Sequence, residues 1–300
     1  MALLSFVRRA AGAAALAAFA GGCEFLHPPT YTGGDPAQLV VHAVLQAGAD
    51  SATVVVARVG VGEAQPVTGA QVRLVGGGAT TVLPDTRPAS IQACRPVAEV
   101  PGQGPATGSG CYSAAVPGGV RAGAEYQLEV DLPSGERVRG RTVVPAAPAL
   151  DGTGERLRVP ARMTEWGTLR SVSPFTVRWT STEPVSVWGQ SMRGWVRNAA
   201  VTCAASVLRD DDVPVAARPD SVRLAVEVHA CNSGPDNQNV RPDSVEVRVS
   251  VTAYDSAYVA YFREYEGGIP LEQASKGLEG AFGLFGSAAS AYRHVIVYRQ

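Results

Sequence analysis

The segment Gly189-Gln190-Ser191-Met192-Arg193-Gly194 sets a serine hydroxyl among glycines. A serine nucleophile on a strand-to-helix elbow reads G-x-S-x-G, and this segment misses that spacing by one residue. Trp195 and Val196 carry it on as β-structure, so it reads as a turn or a bulge. Gly280, Gly283 and Gly286 repeat at G-x-x-G-x-x-G spacing. A phosphate-binding loop needs a strand before it, a helix after it and usually a lysine. Ala281, Phe282, Leu284 and Phe285 stand between these glycines, and Lys276 lies outside them. They read as sites of close backbone approach beside buried phenylalanines. The runs RDDD at 209–212 and DNQN at 236–239 offer the oxygen ligands calcium prefers, without the spacing of an EF-hand loop. His27, His42, His229 and His294 are scattered and form no H-E-x-x-H. The sequence therefore implies no catalytic residue, no metal and no cofactor, and a protein that is not an enzyme.

One cysteine carries a different chemistry. Arg8 and Arg9 precede an alanine-rich apolar run at 10–20, and Gly21 and Gly22 follow before Cys23. Basic flank, short apolar core and small-residue cleavage site make residues 1–22 a secretory signal. The run is shorter than the roughly 20 apolar residues that span a bilayer. Ala20-Gly21-Gly22-Cys23 resembles the bacterial lipobox. The resemblance implies that the Cys23 sulfur takes a diacylglyceryl group and that cleavage leaves Cys23 as an acylated N-terminus. More than one acyl chain is what stable anchoring requires. Glu24 rather than aspartate after the cysteine points toward the outer membrane. Residues 23–38, rich in Pro and Gly, read as a flexible tether.

Export also accounts for the remaining cysteines, Cys94, Cys111, Cys203 and Cys231, as disulfides. Four cysteines allow three connectivities. Local pairing, Cys94 with Cys111 and Cys203 with Cys231, is the simplest, and no C-x-x-C argues for metal instead. The formal net charge of the 300-residue chain is −1, and removal of Arg8 and Arg9 takes it to −3. No basic stretch argues for nucleic acid. All the lysine and arginine positions but Lys276 are arginine, which carries no functional weight at this level.

The elements that must position these groups are strands. LVVHAVL at 39–45 and TVVVARV at 53–59 are β-branched runs. Ala70, Val72 and Leu74 alternate with polar residues up to Gly76-Gly77-Gly78. Tyr126, Leu128 and Val130 alternate likewise, and a Pro133-Ser134-Gly135 turn leads into a second strand at 137–144. That pair is a predicted antiparallel hairpin. The fold class is mainly β. An N-terminal sandwich of immunoglobulin or transthyretin type, residues 39–146, is followed by a second β-rich domain, residues 147–300, with one C-terminal helix. In that second half RPDSVRLAVEV at 218–228 echoes RPDSVEVRVSV at 241–251, which predicts two similar strands, neighbours in one sheet. Tyr258, Tyr261, Phe262 and Tyr265 recur at helical spacing, with Asp255 or Ser256 as the cap. HVIVYR at 294–299 reads as a closing strand.

The order of features, lipobox, LVVHAVL, VTGAQVRLVGGG, GCYSAAVPGGVRAGAEYQLEVDLPSGERVRGRTVVP, an aromatic helix and EGAFGLFGS, resembles the DUF4249-like bacterial outer-membrane lipoproteins. That family has no established activity. The resemblance implies an outer-membrane, lipid-anchored protein whose genes often neighbour TonB-dependent receptors, and such a receptor as a possible partner. It implies no catalytic residues. The function expected is a non-enzymatic binding or accessory role, with a structural or adhesive envelope component as the alternative. A binding module of this build holds its ligand on loops. The candidate loops are TEWGTL around Trp166 and CNSGPDNQN with Asp236, Asn237 and Asn239. One offers an aromatic surface and the other hydrogen-bonding side chains.

Overall fold

The computed structural model describes residues 38–59, 65–86, 110–152, 156–164, 169–172, 174–196, 199–209, 220–232, 242–266 and 275–300. The first half contains β1 (Gln38–Gln46), β2 (Ser51–Val59), β3 (Gln65–Pro66), β4 (Gln71–Gly76), β5 (Ala79–Leu83), β6 (Cys111–Ala115), β7 (Glu125–Asp131) and β8 (Arg137–Val143). These form two layers. β1 and β2 pair antiparallel, with β3 and β6 beside β2. Facing them, β5, β4, β7 and β8 form a second sheet. Alternation decides which side chains meet between the layers. Val41, Ala43 and Leu45 from β1, Val72 and Leu74 from β4, and Leu128 and Val130 from β7 are all buried in one core. The predicted hairpin is present, with Glu125 opposite Val143 and Asp131 opposite Arg137.

The second half contains β9 (Ala149–Leu150), β10 (Leu157–Met163), β11 (Leu169–Ser171), β12 (Phe175–Thr180), β13 (Val185–Val196), β14 (Ala199–Arg209), β15 (Ser221–Asn232) and β16 (Ser244–Tyr254). They are followed by α1 (Ser256–Glu266), β17 (Ser275–Lys276), β18 (Leu278–Glu279) and β19 (Phe282–Arg299). The pairing β10-β11-β15-β14-β13-β16-β19 returns to β10, because Val159 pairs with Val297. The circuit is a closed barrel, which removes exposed edges. Its interior is filled by Val159, Leu169, Trp179, Leu224, Val226, Val247, Val249 and Val297 among others. Trp179 and Val177 of β12 alternate with exposed Thr176 and Arg178 and point into this core. GQSMRG lies within β13, where the register against β16 shifts between Ser191 and Arg193; the segment is a bulge. The two echoed strands, β15 and β16, are both in the barrel but are not neighbours, since β14 and β13 lie between them. Similar local sequence fixes strand character and leaves strand order open, and the expectation of adjacency is corrected.

One strand joins the two halves. β19 runs from Phe282, where it pairs parallel with β1, to Arg299, where it pairs with β10. At Ala288 the last contact with β1, through Gln46, coincides with the first contact with β16, through Tyr254. β18 adds to β8, so residues late in the chain complete the N-terminal sandwich. The division at residue 147 expected from composition is thus crossed by strand pairing in space. The Gly/Phe segment makes this possible. Gly283 has φ +107°, and a Cβ there would meet the Val41 carbonyl oxygen at 2.1 Å. Gly140 faces Phe285, which is wholly buried.

α1 packs on the opposite side of β1 and β19 from the sandwich core, with Tyr261 against Leu284 and Val44. Tyr254, Tyr258 and Phe262 stack in succession at 4.2 and 4.8 Å between ring centroids. Burial, with Tyr254 beside it, holds the Tyr258 phenol far above its ordinary pKa. Asp255 caps the helix through the Tyr258 amide at 2.8 Å. Its other carboxylate oxygen accepts from Thr142 of β8, whose hydroxyl lies 2.7 Å from that of Ser287 in β19. Ser287 in turn donates to the Val143 carbonyl at 3.1 Å. All three side chains are buried, so helix, sandwich and shared strand meet at one satisfied polar node. Asp255→Ala should lower the unfolding free energy by about 2 kcal/mol, through the lost cap and the orphaned hydroxyls. Asp255→Asn, which keeps the acceptor, should recover about half in the same urea titration.

Candidate functional site

The sequence-predicted residues separate into two groups. Cys23, Cys94, Trp166, Asp236, Asn237 and Asn239 lie outside the described residues. Cys111 opens β6, is fully buried, and is disulfide-bonded. Cys203 and Cys231 are register partners on β14 and β15. The strand ends that flank the two candidate loops share one end of the barrel. Leu169 pairs with Val228, so β11 begins where β15 is ending. The C-terminal end of β19 is there too, with Arg299 beside Ala161. β1 begins at the opposite extreme of the molecule, where Val40 pairs with Phe282.

Two sheet faces carry clusters of charge, and they differ. On the outer face of the sandwich, Arg73 binds Glu129 at 3.1 Å and Asp131 at 2.7 Å, and Arg141 binds Glu125 at 2.6 Å. Arg139 approaches Asp131 at 3.7 Å, and Arg58 pairs with Glu136. Hydrogen bonds from Gln127 and then Arg141 hold the Glu125 carboxyl below its usual range. The Ser134 hydroxyl, with Arg58, does the same for Glu136. A shallow depression of about 410 Å³ beside Arg139, Arg141 and Glu279 lies on this face. Its cations are committed to neighbouring carboxylates, so the face is largely self-neutralised.

The outer face of the barrel differs. Strand alternation buries Val159 and Ala161 and turns Arg158 and Arg162 of β10 outward. The same alternation exposes Arg170 of β11, Arg178 of β12 and Arg223 of β15. Arg162 and Arg170 stand directly opposite each other in the pairing. Among the described residues, no carboxylate lies within ion-pair distance of Arg158, Arg162, Arg170 or Arg178. Arg248 lies over the Tyr292 ring at 4.8 Å and Arg158 over the Tyr298 ring at 5.2 Å. Glu246 sits between these pairs, 3.0 Å from His294 Nδ1 and 3.9 Å from Arg156. Tyr292 is 44% exposed. Trp188 and Trp195 of β13 hold register positions opposite Ser250 and Ser244, in line with Tyr292 and Tyr298 on the next strand.

These arginines were present in the sequence as alternate residues of LRVPARM, FTVRWT, SVRLAVEV and SVEVRVSV. No stretch is basic by itself. Only the barrel gathers them, and parity against the buried valines is the signal that would have found them.

A mainly-β protein with a packed sandwich, a filled barrel and an arginine-bearing outer surface offers its chemistry on faces and loops. Among the described residues, no three His, Cys, Asp or Glu gather as a metal group, and no helix is long and apolar enough to cross a membrane. The chain belongs to the family described as a domain of unknown function, DUF4249, whose model matches residues 26–182. The match spans the sandwich and the first strands of the barrel and ends before the Gly/Phe segment. No curated protein matches the chain.

Proposed function

We propose that this chain is a lipid-anchored protein of the cell envelope, held by Cys23 at the outer membrane. Its role is binding or accessory rather than enzymatic, in company with a TonB-dependent receptor. The observation that carries this reading is polarity along the molecule. The tether joins β1 at the sandwich end, whereas the arginine-bearing barrel and the flanks of both candidate loops lie at the other end. A protein fixed at one extreme and chemically equipped at the other is suited to presenting a surface to a partner. Disulfides Cys94–Cys111 and Cys203–Cys231 belong to the same reading. The bonded state of Cys111 and the Cys203–Cys231 register support them. Peptide mapping of the exported protein should find both pairs and no free thiol; pairing across the two halves would refute them.

Affinity purification from detergent-solubilised envelopes tests the partner. Recovery of a β-barrel receptor with the wild-type chain, reduced when Trp166 is replaced by alanine in a folded variant, is the expected result. Recovery of no receptor would favour the structural or adhesive role instead.

A further inference from the structure

We propose that the outer face of the barrel binds an anionic polysaccharide, one carrying carboxylate or phosphate groups along its length. This names the ligand of the binding role proposed above.

Three observations carry it. Arg162 and Arg170 are exposed and directly opposed. Like charges in that position destabilise a sheet; Glu227 stands opposite Arg170 on its other side, but among the described residues no carboxylate lies within ion-pair distance of either arginine. A bound anion would relieve the repulsion between the two guanidiniums. Next, Arg158 lies over the Tyr298 ring. A guanidinium stacked on an aromatic face is held in place while its in-plane N–H donors still point outward, and its fork matches carboxylate and phosphate oxygens. Finally, the donors form an array on an open surface. Same-face positions recur about 7 Å apart along a strand and about 5 Å apart between strands. Fixed forks at these intervals suit a chain of repeating anions better than one small ion, which needs an enclosing pocket. The paired arginines of the sandwich provide the contrast within the same molecule.

A membrane surface is the competing anion. It is the less favoured one because the tether joins the end of the molecule opposite the barrel.

The test uses the full mature chain with Cys23→Ser, so that the protein is soluble and the outcome is independent of lipidation. Binding to polygalacturonate, to phosphorylated dextran and to neutral dextran is measured by calorimetry at several salt concentrations. The chain should bind at least one anionic polymer at about 50 mM salt, with affinity falling as salt rises, and should ignore neutral dextran. Arg162→Gln with Arg170→Gln should weaken binding at least about tenfold and flatten the salt dependence. Arg141→Gln, on the sandwich, should change it less than about twofold. Unchanged circular dichroism confirms that each variant is folded. Failure to bind either anionic polymer, or equal loss in Arg141→Gln, overturns the proposal. So does tighter binding to phosphatidylglycerol vesicles than to any polymer. Each of these failures leaves the anchoring by Cys23 standing, because that is read in a separate assay.

Discussion

Gly283→Val is expected to yield no soluble folded protein. Gly283 stands opposite Val41 in the parallel pairing that docks β19 onto β1. Its φ of +107° is one that residues with a side chain rarely adopt. A Cβ at this position would lie 2.1 Å from the Val41 carbonyl oxygen and 3.0 Å from its carbonyl carbon, and neither backbone atom can swing aside as a flexible side chain could. Relief requires β19 to move away from β1. That movement would open the core around Phe285, Val41 and Leu45, all fully or almost fully buried. A cost above about 4 kcal/mol is expected, a large part of the roughly 5–15 kcal/mol that stabilises a domain. Gly48→Ala makes the matching control. Gly48 also has positive φ, at +78°, but a Cβ there meets nothing within 4 Å. It should cost about 1 kcal/mol and leave a soluble protein. Soluble yield and urea midpoints of the two variants check the contrast. Equal yields would mean that the β1–β19 pairing is not as close as described.

Val297→Asp should be nearly as severe, and its effect should reach the sandwich. Val297 is fully buried between Val245 of β16 and Val159 of β10. A carboxylate there loses the apolar contacts and finds no partner charge, for a cost of about 4 kcal/mol or more. β19 is continuous, so a barrel that opens at Val297 loosens the strand that also completes the sandwich. All four tryptophans, Trp166, Trp179, Trp188 and Trp195, belong to the second half, so their fluorescence reports on the barrel. Amide exchange in β7 and β8 reports on the sandwich. In the wild type both probes should follow one unfolding transition, and in Val297→Asp both should shift to lower urea together. Native protection of β7 and β8 alongside unfolded tryptophan fluorescence would show that the two halves are independent.

The parts of this architecture that were legible in sequence are those set by local pattern. Alternation and a Pro-Ser-Gly turn sufficed for β7 and β8, β-branched runs for β1 and β2, and aromatic spacing with Asp255 for α1. The role of β19 was not legible beyond its final residues. From Gly283 to Ala289 it is buried without interruption, covered by the sandwich core on one side and α1 on the other. A strand covered on both faces has no alternation to read. Its partners, β1 and β10, are also far away in sequence, and local pattern carries no information about such pairing. The same limit applies to β15 and β16, whose matching sequences gave two strands but not their separation by β13 and β14. For the candidate site the position is reversed. Arg158, Arg162, Arg170, Arg178 and Arg223 could be read as outward residues one strand at a time. The pairing of β10 with β11, of β11 with β15 and of β15 with β12 was needed to show that they share one surface. The aromatic and polar loops that the sequence singles out fall outside the described residues, and only their flanking strands can be located, at one end of the barrel.

Anchoring through Cys23 is the claim on which the proposed function turns, because it makes the sandwich the fixed end and the barrel the presented end. The most direct measurement is metabolic labelling with radioactive palmitate in cells expressing the full chain or its Cys23→Ser variant, followed by membrane fractionation. The wild type should carry label, lose residues 1–22 and sediment with the outer membrane, while Cys23→Ser should carry no label and either appear in the soluble fraction or retain its signal segment. An unlabelled wild-type protein that fractionates as its Cys23→Ser variant does would contradict the account.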